Sequence, residues 1–106
     1  MPQKPRRLTE TEIGLATLQI LAAAPEGVAS LEDIRRKLPR YLDLTQGDVT
    51  ESQTRANEEL WEQQVRNLIS HRDSKTNIIG AGFALNLFGG LQITDLGRAY
   101  LKDQGF

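Results

Sequence analysis

The chain contains no cysteine, a single histidine and few rings: one tryptophan, two tyrosines and three phenylalanines among 106 residues. Without cysteine there is neither a disulfide framework nor a thiolate metal site. One histidine, His71, does not make a metal centre on its own. Nor does it make a hydrolase, because Ser70 and Ser74 beside it lack the third group that would orient a base. With so few aromatics, Trp61 has no second ring nearby to form a stacking platform for single-stranded nucleic acid. No stretch approaches the roughly 20 apolar residues that cross a bilayer. The opening MPQKPRRLTETE has no apolar segment of the kind a secretion signal needs. A cytoplasmic protein with no membrane contact, no metal and no cofactor is therefore expected. Charge is also without excess: 13 Lys and Arg against 14 Asp and Glu give a net charge of -1. That is not the overall footprint of a nucleic-acid-binding protein, so any such function must rest on local clusters.

What is present is an ordinary globular composition, 39% hydrophobic and 25% charged. The length suits one domain. Residues 1–7, rich in Pro, Lys and Arg, read as a flexible arm, and residues 8–106 as the domain. Thr9 and Glu12 form a capping-box pair at the start of a first helix. The helix continues through Ile13, Ala16, Leu18, Ile20 and Leu21, which is apolar enough for a central position. Pro25-Glu26-Gly27 ends it. After the short apolar piece Val28-Ala29, Ser30 caps a second helix with Leu31, Ile34 and Leu38 on one side, and Pro39 marks its end. A third helix is expected from Ser52 or Thr54 to His71. Trp61, Val65, Leu68 and Ile69 lie on its inner face, and Arg55, Glu59, Gln63, Arg66 and Ser70 on its outer face.

The end of the chain is a hairpin followed by a helix. Phe83–Phe88 and Leu91–Thr94 read as strands, with Gly89-Gly90 as a two-residue turn at positive φ. Thr94 or Asp95 then caps a last helix whose Leu96, Tyr100 and Leu101 should face inward. Gly97, within this helix, costs roughly 1 kcal/mol against alanine. Close packing against the hairpin or first helix would explain it, and Gly14 admits the same reading. A lone hairpin is marginal in water, but Val28-Ala29 can supply a third strand. The expected fold is therefore mainly α with a small antiparallel β-sheet, an α+β winged helix-turn-helix with Asn86 to Gly90 as the wing tip.

The strand-to-helix stretch Leu91-Gln92-Ile93-Thr94-Asp95-Leu96-Gly97-Arg98-Ala99-Tyr100-Leu101, with Trp61 and the order of elements, resembles the winged-helix domain at the N-terminus of Mrr-type restriction proteins. The resemblance spans about residues 8–102. It implies contact with double-stranded DNA, the third helix entering the major groove and the wing lying on the backbone. That family carries a nuclease domain, yet these residues include no carboxylate cluster followed by Glu-x-Lys, so cleavage is not expected of them.

The candidate DNA contacts follow from chemistry as well as from the resemblance. Gln53, Thr54, Arg55 and Asn57 concentrate groups that can bond base edges at the start of the third helix, with Gln63 and Arg66 further along. The same run, Ser52 to Glu58, also reads as a polar helix start. Arg35, Arg36, Lys37 and Arg40 place four cations in six residues. Such cations complement a helix dipole, but their number points to phosphate. Arg72 and Lys75 lie near the base of the wing, where Arg72 and His71 can also close the long helix. Asn86 sits at the wing itself. Against these stand Glu58, Glu59 and Glu62 on the reading helix, which repel phosphate. A protein-interaction or homodimerisation module without DNA binding is the alternative.

Overall fold

The computed structural model describes residues 9–42 and 60–106, with the side chains of residues 60, 61 and 64 outside that description. Helix α1, Glu10–Ala23, is the centre of the fold. The Thr9 hydroxyl accepts from the Glu12 N–H at 3.2 Å, as the capping pattern predicts. Ile13, Leu18 and Leu21 are completely buried, and Ala16 and Ile20 nearly so. Burying a side chain of this size contributes about 1.5–3 kcal/mol. Buried positions on more than one face are what a central helix requires. Thr17 is buried among them, and its hydroxyl donates to the Ile13 carbonyl at 2.7 Å.

A 3-10 turn, Pro25–Gly27, leads from α1 into strand β1, Val28–Ser30. The Ser30 hydroxyl accepts from the Asp33 N–H at 3.1 Å and opens helix α2, Leu31–Lys37. Ile34 and Leu38 are fully buried at helical spacing. Pro39 falls in a 3-10 turn, Leu38–Arg40, that closes the segment. Helix α3 is described from Leu60 to Ser70 and buries Val65 and Leu68 against α1. The expectation of a core Trp61 concerns a side chain outside the described set.

Strands β2, Ala84–Leu87, and β3, Gly90–Ile93, form the hairpin. β1 joins its far side, so the antiparallel order is β1-β3-β2, with Ala29 opposite Leu91 and Asn86 opposite Leu91 from the other side. The third strand expected at Val28-Ala29 is therefore present. Helix α4, Asp95–Asp103, follows, capped by the Thr94 hydroxyl, which accepts from the Gly97 N–H at 3.0 Å. The Phe83 and Tyr100 rings stack at 4.3 Å and tie α4 to the approach to β2. The architecture is thus α+β: helices around α1 with a three-stranded antiparallel sheet.

Two local expectations need correction. The hairpin loop is Phe88-Gly89, not Gly89-Gly90, because Leu87 pairs with Gly90. Gly89 has the positive φ of 77° that the turn needs, whereas Gly90 is a strand residue pressed against β1. A Cβ on Gly90 would meet the Ala29 carbonyl oxygen at 2.5 Å. Leu96 does not face inward: it is 55% exposed in the first turn of α4, while Leu101 is buried. Asn77, in the turns that follow α3, is a buried polar residue. Gly97 does have the close packing its position suggested, since a Cβ there would overlap the Phe83 carbonyl oxygen.

Candidate nucleic-acid interface

Helix α2 sets the position of the basic cluster. Its apolar side, Ile34 with Leu38, is held in the core, so the residues between are driven towards the surface. Arg36 and Arg40 are exposed, and Arg35 and Lys37 are half-buried. Arg36 is not free: its Nη2 donates to the Asp33 carboxylate, one helical turn back, at 2.5 Å. Both partners are well exposed, so the pair contributes little to stability, about 0–1 kcal/mol. An incoming phosphate can take over this guanidinium at small cost. The Arg35 Nε is buried and has no hydrogen-bond partner among the described residues. Arg35, Arg36 and Lys37 all lie in the last turn of α2, where their charge also complements the helix dipole.

The expected reading positions divide into two groups. Gln53, Thr54, Arg55 and Asn57 lie outside the described residues. Gln63 and Arg66 lie on α3, half-buried, and each already has an interaction partner. The outer face of α3 is thus less open than a bare helical projection suggests. Glu62, half-buried at the start of the described helix, is engaged too.

The segment after α3 is organised by side chains that carry no marked signal in the sequence. The Asn77 amide donates to Glu10 Oε1 at 2.8 Å and to the Leu68 carbonyl at 2.9 Å. Its oxygen accepts from the Ile79 N–H at 2.7 Å. The other Glu10 oxygen sits 2.7 Å from His71 Nδ1. One carboxylate of α1 therefore holds both the end of α3 and the turn beyond it. Arg72 folds back onto the Ile69 carbonyl at 3.1 Å, the helix-closing role expected for it. Lys75 is exposed in the following turns.

The hairpin presents a surface unlike the basic cluster. Asn86 is exposed on β2 as expected, but its neighbours Leu85, Leu87 and Phe88 are exposed as well. Leu85 and Leu87 share one side of the strand by its two-residue period, and Phe88 stands at the tip. The alternation Leu85-Asn86-Leu87 is a signal for this in the sequence, since it puts two leucines on the side away from Ala84 and the core. No protein-family model matches the chain, and no curated protein or solved structure matches it either.

Proposed function

We propose that this chain is a winged helix-turn-helix domain that binds double-stranded DNA, either as a regulator or as the specificity part of a restriction-like system. The observation that carries the reading is the placement of Arg35, Arg36, Lys37 and Arg40 at the end of α2 and in the turn after it, α2 being the last helix before α3 among the described residues, beside a β1-β3-β2 sheet. In helix-turn-helix proteins the helix before the reading helix crosses the DNA backbone. In this reading the cluster takes phosphates, the hairpin is the wing, and Arg55 with its neighbours carries base selection. The strand-to-helix stretch from Leu91 to Leu101 adds the likeness to Mrr-type N-terminal domains.

A second reading is supported by the hairpin. Leu85, Leu87 and Phe88 are exposed together at an apolar wing, which suits a protein partner or a second copy better than phosphate. Fluorescence anisotropy on random-sequence duplex DNA across a salt series separates the two. Affinity that falls steeply with salt supports DNA binding through phosphates. Absent or salt-independent binding overturns it and leaves the interaction module.

A further inference from the structure

A second surface, built from other elements, has the composition of a ligand site. Between the C-terminal half of α1 and helix α4 runs an open groove of about 700 Å³. This is within the range of roughly 300–1,000 Å³ typical of small-molecule sites. Its α1 side is Gln19, Ala22 and Ala23, and the small side chains of the two alanines leave the space open. Its α4 side is Arg98, Leu101 and Lys102, three residues at the spacing that shares one helix face.

The groove also has aromatic sides on residues whose backbone is hydrogen-bonded in place. Tyr41 and Phe106 both line it. The backbone of Phe106 is fixed by a Schellman turn at the end of α4. Its N–H donates to the Leu101 carbonyl at 3.0 Å, and the Gly105 N–H donates to the Lys102 carbonyl at 3.1 Å. Gly105 takes the positive φ, 93°, that this motif assigns to glycine. An apolar contact between the residue after the glycine and the residue five before it frequently accompanies the motif, and Phe106 and Leu101 both line the groove. Arg98 and Lys102 add two positive charges to a lining that is otherwise uncharged and mostly apolar, with Gln19 and the Tyr41 hydroxyl as its other polar groups. Neither has a side-chain ion-pair partner among the described residues, and among those residues no Asp or Glu side chain lines the groove.

We infer that the α1–α4 groove binds a small amphipathic organic anion, an aromatic carboxylate in particular, with its apolar body on Ala22, Leu101, Tyr41 and Phe106 and its carboxylate on Arg98 and Lys102. An apolar floor alone would accept neutral and charged ligands alike. Two unpaired cations beside it select an anion, and the aromatic sides favour a flat ring over a chain. The groove shares no lining residue with the basic cluster, so its ligand binding can be tested without DNA.

The probe is 2-naphthoate, titrated into the ¹⁵N-labelled full chain and compared with 2-naphthalenemethanol, its neutral analogue. Saturable shifts at Ala22, Ala23, Arg98 and Leu101, with the alcohol binding at least about tenfold more weakly, are expected. The double variant Arg98→Gln/Lys102→Gln should lose about the same factor for the carboxylate, and Arg98→Lys/Lys102→Arg should retain it. Equal binding of the two probes to the parent protein overturns the inference, and so do shifts centred elsewhere or no saturable binding. The comparison of probes needs no variant, so a folding defect in the double variant leaves the test intact.

Discussion

Replacing Asn77 by alanine tests whether the buried amide fixes the end of α3 and the following turn to α1. The side chain is 3% exposed and makes three short hydrogen bonds, to Glu10, to the Leu68 carbonyl and from the Ile79 N–H. Each typical bond contributes about 1 kcal/mol net, and an abandoned buried partner costs about 1–3 kcal/mol. Glu10 is part-exposed and can turn to water, so its share is small. The Leu68 carbonyl bond is buried, and the Ile79 N–H is partly so, and these two bonds therefore contribute most. Together they predict a loss of about 3 kcal/mol. A domain of this length has a total stability of about 5–15 kcal/mol, so the variant should fold but unfold early. With a urea slope of about 1.5–2 kcal/mol/M, the midpoint should drop by about 1.5–2 M. Urea denaturation followed by circular dichroism reads this directly. Glu10→Gln should cost less than about 1 kcal/mol, because the amide can still accept from Asn77. A shift below about 0.5 M for Asn77→Ala would show that water reaches these groups and would refute the assignment of Asn77 as a structural bracket.

Gly97→Ala should destabilise by about 1–3 kcal/mol in thermal melts, despite alanine's better helix propensity, because the new methyl would overlap the Phe83 carbonyl and Ile93; a rise in melting temperature would mean that α4 does not sit on the hairpin. Gly90→Ala should cost more than Gly89→Ala, the former forcing β1 from β3 and the latter meeting no atom within 4 Å but carrying the strain of a left-handed backbone, of order 1 kcal/mol; the reverse order would return the turn to Gly89-Gly90. Arg36→Ala with Arg40→Ala should weaken duplex binding about equally on all sequences and flatten its salt dependence by about two phosphates; altered sequence preference at constant salt slope would contradict a phosphate role.

The elements most legible in the sequence are those with strong local signals. Thr9, Ser30 and Thr94 each cap the helix they precede, because a hydroxyl that accepts from an N–H two or three residues on needs only local geometry. The third strand at Val28-Ala29 could be expected because a bare hairpin lacks a partner. What composition conceals is the choice between two locally equivalent options. Gly89 and Gly90 both tolerate a turn, and only the pairing of β1 with Gly90 decides that the second is a strand residue. Leu96 fits the inward pattern by residue type, yet the cap at Thr94 fixes the rotation of α4 and sends it outward. Asn77 is polar, like its neighbours from Asp73 to Thr76, and nothing in that run marks the one side chain that turns into the core. Its partner Glu10 lies 67 residues away in sequence, so no local window could pair them.

The hairpin and the basic cluster set a quantitative limit on the proposed DNA binding. In a wing that grips the backbone, cations or N–H groups would be expected at the tip; here Leu85, Leu87 and Phe88 flank a single amide, Asn86. Phosphate binding then falls mainly to Arg35, Arg36, Lys37 and Arg40. Four phosphate contacts give a slope of log affinity on log salt of about -3.6, which is a loss of about 150-fold between 50 and 200 mM salt. A steeper slope would require further cations, with Arg72, Lys75 and Arg66 the next candidates on the described surface. A slope near zero would leave the apolar hairpin as the dominant feature, since apolar contacts respond weakly to salt. Phe88→Ser then becomes decisive: it should abolish self-association or partner capture if the hairpin is an interface, and should leave duplex affinity nearly unchanged if the cluster at residues 35–40 carries the binding.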